Sequence, residues 1–205
     1  MPASSAQTVA VIDDDEAVRV SLKLLIETLD VRVVCYDSAR AFLDDPEHAA
    51  ADCLVLDVRM PGMNGLELQS RLDGGDWLAP IIFISGHADV PMAVQAMRAG
   101  AVDFLQKPFN DQALLDRVQQ SLERCRSLRA MAAERGAIEA RLSLLTPRER
   151  EIMQRVVDGQ MNKVIAEELK ISVKTVEDHR SSIMRKMRAR TVQDLVRMAA
   201  GIGSA

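Results

Sequence analysis

The chain has 205 residues, enough for one large domain or two modest ones that each bury a core. Residues 1–125 carry 10 Lys/Arg and 20 Asp/Glu, whereas residues 126–205 carry 16 and 10, so the net charge of −4 conceals an acidic and a basic part. The basic part favours a polyanion partner. The amino terminus lacks a signal-peptide pattern and no apolar run approaches membrane-spanning length, which predicts a cytoplasmic protein with no membrane partner.

Three cysteines, Cys35, Cys53 and Cys125, are odd in number and far apart. They match neither a CxxC pair nor a zinc-binding spacing, which favours a reducing compartment. We therefore expect them to pack as small hydrophobic side chains.

Five short aliphatic runs alternate with amphipathic segments over the first 109 residues. The runs predict strands at residues 9–12, 31–36, 53–56, 81–84 and 102–105. The intervening segments predict helices near residues 16–29, 38–45, 65–72 and 91–99. Alternation at this spacing implies a parallel sheet covered by helices on both faces, and the mixed composition of residues 31–36 indicates an edge strand.

A long helical segment, about 112–144, follows without a proline. Its apolar stripe runs through Leu115, Val118, Leu122 and Cys125, then shifts phase and continues to Leu145. A stripe that extends past the sheet needs another surface to cover it. Packing on neighbouring domains and a short two-chain coiled coil are equally compatible with the pattern.

The remainder of the chain, from Thr146, predicts four helices. Thr146, Pro147 and Glu149 form a capping box with proline at the first helical position, and Gly159 ends that helix. A short helix at about 162–169 and a tight turn precede a helix capped by Ser172 that runs to about Met187. The last helix begins at Thr191.

Polar residues follow four of the five predicted strands. Asp13, Asp14 and Asp15 follow the first, Asp57 the third, Ser85 the fourth and Lys107 the fifth. The carboxyl ends of parallel strands form one edge of a sheet, where ligands bind. With strand order 2-1-3-4-5 the first and third strands are neighbours, so Asp13, Asp14 and Asp57 would converge there.

Three ionised carboxylates at one place require a cation. Mg²⁺ binds one or two carboxylates, keeps several waters and is commonly completed by phosphate oxygens. Lys107 can supply a point charge to a phosphoryl group, and the Ser85 hydroxyl can donate to it. Asp57 is then a candidate nucleophile that accepts the phosphoryl group.

The predicted helix after Ser172 has two distinct faces. At 100° per residue, Val173, Val176, Ile183 and Met187 share its apolar face. Its polar face follows a short helix and a tight turn within a basic segment, which favours insertion into the major groove of DNA. Lys163, together with the polar residues of this helix, gives the candidate DNA contacts: Lys163, Lys174, Thr175, Glu177, Asp178, Arg180, Ser181, Ser182, Arg185 and Lys186. Arg180 is the weakest of these because it lies near the apolar face.

The segments VIDDDEAVR, LVLDVRMPGMNGLEL, FISGHADVPMAVQAMRAGAVDFLQKPF and LTPREREIMQRVVDG…VIAEELKISVKTVEDHR resemble a two-component response regulator of the FixJ/NarL type. The resemblance covers nearly the whole chain. It implies an α/β, flavodoxin-like five-stranded receiver domain at residues 8–123, a helical linker at 124–142 and an all-α, four-helix LuxR-type helix-turn-helix domain at 143–205. It also implies that the chain is a regulator and not an enzyme.

The resemblance assigns roles to individual residues. Asp57 is the expected phosphoacceptor for a sensor histidine kinase. Asp13, Asp14, Asp57 and the backbone carbonyl of Arg59 are the expected Mg²⁺ ligands. Ser85 and Lys107 are expected to hold the phosphoryl oxygens, with a cis Lys107–Pro108 bond. Ser85 and Phe104 are the expected switch residues. Phe104 occupies the position of the switch aromatic residue but lacks the hydroxyl of the tyrosine that many receivers carry there.

Phosphorylation is expected to alter the surface around residues 90–105, promote a homodimer and strengthen binding to double-stranded DNA, with RNA polymerase as a further partner. Arg59 and His87 each follow a site residue by two positions, so their side chains are candidates for limiting water attack on the phosphate. Two other classes stay open on the residues alone. These are an aspartate-nucleophile, Mg²⁺-dependent phosphatase, which usually carries an acid at the position of Arg59, and a phosphorylation-responsive adaptor that does not bind DNA.

Overall fold

The structure is a computed structural model that describes residues 7–73, 77–86 and 90–202. The chain divides into two compact units, residues 1–129 and 130–205. The first unit contains five strands, and their bounds are β1 Thr8–Ile12, β2 Arg32–Tyr36, β3 Cys53–Asp57, β4 Ile81–Ser85 and β5 Asp103–Gln106. Each strand contains most of the aliphatic run that predicted it. Two of them, β3 and β4, are buried along their whole length.

All four strand pairings are parallel, and the strand order is β2-β1-β3-β4-β5, as predicted. The edge position of β2 agrees with its mixed composition. In this order β1 and β3 are neighbours, and Ile12 pairs with Leu56. The chain positions that follow Ile12 and Leu56 therefore lie at the same edge of the sheet.

The sheet is enclosed by helices. Their bounds are α1 Glu16–Glu27, α2 Ala39–Asp44, α3 Gly65–Leu72, α4 Val90–Arg98 and α5, which begins at Asp111 and continues to Ser143. One 3₁₀ turn, His48–Ala50, was not predicted. Asp15 caps α1 by accepting hydrogen bonds from the backbone N–H groups of Ala17 and Val18. The acids after β1 therefore serve both a helix terminus and the sheet edge.

Two hydrophobic clusters lie on opposite faces of the sheet. The first centres on Phe42, Leu56 and Phe83, together with residues of α2 and α3. The second centres on Val55 and Ile82 with residues of α1 and α5. Burial on both faces accounts for the continuous apolar sequence of the central strands.

The stripe of α5 changes partners along the helix. Leu114, Val118 and Leu122 are buried against the sheet, so the predicted position of Leu115 was wrong by one residue: a 4,4,3 spacing faces the sheet and leaves Leu115 half-buried. Met131 is 68% exposed, whereas Ile138 and Leu145 are buried in the second unit. Each end of the stripe is thus buried within its own unit, and the coiled coil stays a hypothesis.

The second unit is all helical in its described part. Beyond the end of α5, its helices are α6 Pro147–Val157, α7 Asn162–Glu168, α8 Val173–Met187 and α9 Val192–Ile202. The predicted capping box of Thr146 and Glu149 is present, and Gly159 has φ +81° where α6 ends. Ser172 caps α8. Val176, Ile183 and Met187 enter the core, but Val173 is 42% exposed because α8 begins with this residue and its buried face starts at Val176.

Two further predictions concern cysteines and membranes. Cys53 and Cys125 are buried, Cys35 is half-buried, and all three are free thiols. Burial raises the pKa of Cys53 to about 12, as expected for a side chain that packs as a small hydrophobe. Within the described part of the chain, no helix is both long and apolar enough to span a membrane.

Candidate functional site

The carboxyl edge of the sheet holds a buried ionic group. The ammonium of Lys107 donates to Oδ2 of Asp13 at 2.7 Å and to Oδ1 of Asp57 at 2.9 Å. The side chains of Asp13 and Asp57 are 2% and 9% exposed. The chain thus brings three of the predicted site residues from three strand ends into direct contact.

Asp57 has the environment of a reactive carboxylate. Burial raises its pKa, and the hydrogen bond from Lys107, its positive charge and the backbone N–H of Arg59 offset this only in part. That N–H donates to Oδ2 at 2.7 Å. Burial also lowers the pKa of Lys107, but its hydrogen bonds to Asp13 and Asp57 outweigh this and raise it overall. Lys107 is therefore a permanent cation, and the site can still stabilise more positive charge.

Gly65, which was not among the predicted site residues, packs closely against the backbone of Asp57. It begins α3, and its N–H donates to the carbonyl of Val58 at 2.9 Å. A Cβ at Gly65 would lie 2.4 Å from the backbone carbonyl of Asp57, so any other residue would displace the strand end. The Asn64-Gly65 pair after MPGM was the available signal, because Asn64 caps the helix and only glycine fits next to it.

Ser85 and Phe104 lie beside this group. Ser85 is the last residue of β4 and is 1% exposed, and its carbonyl accepts from the backbone N–H of Lys107 at 2.8 Å. The half-buried Phe104 pairs with Phe83 in the sheet, and their ring centroids are 6.3 Å apart. The Lys107–Pro108 peptide bond is cis, as the resemblance implied.

The predicted cluster of three carboxylates is not formed. Asp14 is exposed, and the described residues contain no group of three His, Cys, Asp or Glu side chains arranged to hold a metal ion. The ammonium of Lys107 lies between the buried carboxylates of Asp13 and Asp57 and offsets one of their two negative charges, whereas the Asp14 side chain is exposed to solvent. The residues present still fit a hard divalent cation, because the carboxylates of Asp13, Asp14 and Asp57 and the carbonyl of Arg59 are all oxygen ligands. The raised pKa of Asp57 also indicates that this pocket can accept further positive charge.

The two rim residues differ in what the structure describes. Arg59 is exposed, and its guanidinium lies 3.9 Å from the sulfur of Met92 on α4. His87 lies outside the described residues.

The predicted DNA-contact residues divide into two groups. The exposed ones are Lys163, Lys174, Glu177, Asp178, Ser181 and Arg185. Thr175 is half-buried, and its hydroxyl forms a hydrogen bond with that of Ser172 at 2.8 Å, within the α8 cap. Lys174 pairs with Asp178 at 3.2 Å, but an exposed pair of this kind exchanges readily for a phosphate contact.

Three of the predicted contacts are engaged inside the unit instead. Arg180 donates to Oδ1 of Asn162 at 2.6 Å, which agrees with its position near the apolar face. Ser182 and Lys186 both donate to Glu149, at 2.7 and 2.6 Å. These side chains hold α8 against α6 and α7, so they are less available for DNA than the exposed group.

Glu149 is the centre of that network. It is 4% exposed, caps α6 through the backbone N–H of Thr146, and receives Lys186 and Ser182 from α8. The bond from Lys186, followed by those from Ser182 and Thr146, lowers the pKa of Glu149 to about 2. The capping-box pattern in the sequence predicted that Glu149 caps α6, but it did not predict the contacts of Glu149 with α8.

Two exposed cations that were not among the predicted DNA contacts follow α8. Arg188 ends the helix in the left-handed conformation, with φ 54°, and Arg190 precedes α9. Both residues are exposed and add positive charge after the end of α8. The segment RKMRAR, residues 185–190, shows this positive charge in the sequence, although helical spacing alone could not place Arg188 and Arg190 on a face of α8.

The comparisons with known proteins agree with this geometry. Residues 9–119 match the family model described as the response regulator receiver domain, and residues 143–199 match that of the bacterial regulatory proteins, luxR family. The chain therefore belongs to the response regulators that join a receiver domain to a LuxR-type DNA-binding domain. It is a two-component transcription regulator by class.

Several relatives span nearly the whole chain. It is 44% identical to Nodulation protein W of Bradyrhizobium diazoefficiens over 98% of this chain and 88% of that protein. It is 44% identical to response regulator protein TmoT of Ectopseudomonas mendocina over 92% of this chain and 86% of that protein. It is 42% identical to the transcriptional regulatory protein FixJ of Bradyrhizobium diazoefficiens over 94% of each.

Two solved structures are similar in fold and sequence. The response regulator StyR matches with a TM-score of 0.85 and 42% identity, over 96% of this chain and 99% of that one. Full-length FixJ from B. japonicum matches with a TM-score of 0.57 and 40% identity, over 97% of this chain and 98% of that one.

Proposed function

We propose that a sensor histidine kinase phosphorylates this regulator on Asp57, and that the phosphorylated form dimerises and binds DNA to control transcription. The observation that carries the proposal is the contact of Lys107 with both Asp13 and Asp57 at a buried sheet edge. A lysine held in this way is ready to transfer its hydrogen bonds from carboxylate oxygens to those of a phosphoryl group.

The chemistry follows from the charges at the site. An oxygen of Asp57 attacks the phosphorus of a phosphohistidine, the P–N bond breaks and the imidazole leaves with the electron pair, which gives an acyl phosphate. When bound, Mg²⁺ would neutralise phosphoryl oxygens. Asp13, Asp14, Asp57 and the carbonyl of Arg59 would hold it.

Ser85 and Phe104 would transmit the change. The hydroxyl of Ser85 would donate to a phosphoryl oxygen, and movement of β4 would repack Phe104 against Phe83. The adjacent helix α4 exposes Val90, Val94 and Met97 to solvent, at 76%, 43% and 46%. An apolar surface of this kind suits a two-fold contact between phosphorylated chains, which would pair two copies of α8 on DNA half-sites.

For the domain arrangement, we propose boundaries at residues 8–123 and 143–205, with 124–142 as the linker. Contact with RNA polymerase is a further part of the proposal. We do not propose turnover of phosphate esters, because the residue two positions after Asp57 is Arg59, which supplies no general acid or base at neutral pH.

Wild type and Asp57→Asn should be compared for mass, hydrodynamic size and DNA affinity, with and without acetyl phosphate and Mg²⁺. We expect one phosphoryl group on the wild type, a shift toward dimer and tighter DNA binding, and none of these changes in Asp57→Asn. Lack of phosphate at residue 57 from any donor would refute it. Steady release of inorganic phosphate from small esters would instead favour a phosphatase, and DNA affinity without salt dependence would favour an adaptor.

A further inference from the structure

Asp13 has all of its polar groups engaged. Its N–H donates to the carbonyl of Tyr36 at 3.3 Å, Oδ1 accepts from the N–H of Asp15 at 2.9 Å, and Oδ2 accepts from Lys107 at 2.7 Å. Its carbonyl oxygen accepts from Nη1 of Arg19 at 2.7 Å. Arg19 lies on α1 and is half-buried, and it has no role in the chemistry described above.

The carbonyl of Asp13 belongs to the peptide group that joins Asp13 to Asp14. A peptide group is planar, so a fixed carbonyl direction fixes the direction in which the chain leaves toward Asp14. Within the described part of the chain, the side chain of Asp14 has no hydrogen bond or ion pair that would orient it. Its direction therefore depends on the backbone, which Arg19 holds at the Asp13 carbonyl and the Asp13 side chain holds at the Asp15 N–H.

We propose that Arg19 is a positioning residue for Asp14, acting through the Asp13 carbonyl to aim the Asp14 carboxylate at the metal position. This inference rests on the proposed function, because it gives Asp14 a role in holding Mg²⁺. A charged donor makes the hydrogen bond to the carbonyl stronger than a neutral one. Loss of a partner that orients metal ligands typically weakens metal affinity about 10–100-fold.

Electrostatics alone gives the opposite expectation. Arg19 is a cation near the metal position, so its removal would lessen repulsion of Mg²⁺ and tighten binding. The positioning role predicts weaker binding in the same variant. The sign of the change in affinity therefore separates the two.

The test is calorimetric titration of the unphosphorylated full-length chain with MgCl₂, for wild type, Arg19→Ala, Arg19→Lys and the control Lys23→Ala. Lys23 lies one turn further along α1 and pairs with Glu27 at the surface, at 3.8 Å. We expect about tenfold weaker Mg²⁺ binding for Arg19→Ala, partial recovery for Arg19→Lys and no change for the control. Thermal unfolding without Mg²⁺ establishes whether each variant is folded. If Arg19→Ala is not folded, the Mg²⁺ affinity of Arg19→Lys relative to wild type tests the inference instead.

Equal or tighter Mg²⁺ binding by Arg19→Ala would overturn the inference, as would an equal loss in Lys23→Ala. A second readout is the Mg²⁺ concentration that half-saturates phosphorylation by acetyl phosphate. It should rise in Arg19→Ala, while the extent at saturating Mg²⁺ stays that of wild type. If the wild type itself takes up no phosphate but Arg19→Ala still weakens Mg²⁺ binding, the proposed function fails and the positioning role stands.

Discussion

The ammonium of Lys107 lies 2.9 Å from Oδ1 of Asp57, and the two residues are 50 positions apart in the chain. The same ammonium contacts Asp13 at 2.7 Å, so one cation serves two buried carboxylates. The site therefore keeps a net negative charge, and burial raises the pKa of Asp57 despite the contact with Lys107. This charge balance determines how the receiver responds to substitution, pH and Mg²⁺.

Lys107→Ala should destabilise the receiver, because it leaves two buried carboxylates without their cation. Removal of one partner from a buried ion pair typically costs about 3 kcal/mol or more. Mg²⁺ should restore part of this loss, since it supplies the missing positive charge. Trp77, the only tryptophan, lies in the first unit, so denaturant unfolding followed by its fluorescence measures the change. The control is Lys23→Ala, and equal stability of Lys107→Ala and wild type would contradict the prediction.

Asp57→Asn should have the opposite effect. Burial raises the pKa of Asp57 above its ordinary value of 3.8, so the ionised carboxylate opposes folding at neutral pH. That penalty diminishes as pH falls through the raised pKa, and it is absent well below 3.8. The variant should unfold at a higher temperature than wild type at pH 7, and the difference should close in acid. Asp116→Asn, an exposed carboxylate on α5, serves as the control.

The sequence predicted that Asp13, Asp57 and Lys107 would lie at this edge, because strand order and the common direction of parallel strands bring the residues after each strand together. It did not predict that Asp14 would be exposed. It did not predict that Lys107 would lie between Asp13 and Asp57. A lysine side chain has several rotatable bonds, and its direction depends on charges contributed by two other strands. The role of Gly65 was missed for a related reason, since its close approach to Asp57 is set by the position of α3 on the sheet.

The second unit shows the same limit. A 100° step per residue placed Arg180 near the apolar face and Arg185 on the opposite face, as observed. It could not reveal that Glu149, 33 residues before Ser182, occupies the space beside α8 and engages Ser182 and Lys186. Helical spacing gives the faces of one helix, whereas the partner on each face comes from a distant part of the chain.

Glu149 should make the second unit acid-sensitive. Its pKa is lowered to about 2, so its contribution to stability is complete above its ordinary value of 4.5 and is lost as pH falls toward 2. Glu149→Gln should flatten this pH dependence and cost about 2 kcal/mol at neutral pH, the usual scale for hydrogen bonds to a charged group. Amide hydrogen exchange in α6 and α8 measures both effects. Unchanged protection of these helices from pH 7 to pH 3 in wild type would contradict the prediction.

Arg185→Ala and Arg180→Ala should affect DNA binding differently. Arg185 is exposed, so its loss should remove one phosphate contact and reduce the slope of log affinity against log salt by about one. Arg180 holds Asn162, so its loss should lower the stability of the second unit and leave the salt slope unchanged. Arg135→Ala, which removes a surface pair with Glu139 on α5, is the control. If Arg180→Ala changed the salt slope of DNA binding and Arg185→Ala did not, Arg180 and not Arg185 would be the residue that contacts phosphate.

Arg59→Ala should shorten the lifetime of the phosphorylated form. The guanidinium of Arg59 is exposed beside Met92. Because Arg59 follows Asp57 by two residues, we expect its side chain to cover the phosphoryl group and limit the approach of water. The substitution leaves the backbone in place, so the N–H that donates to Asp57 and the carbonyl proposed as a metal ligand are retained. The measurement is the rate of phosphate loss after removal of acetyl phosphate, with Mg²⁺ held constant. Arg40→Ala, which removes an exposed pair with Asp44 on α2, is the control. Equal rates in wild type and Arg59→Ala would show that the side chain does not shield the phosphate.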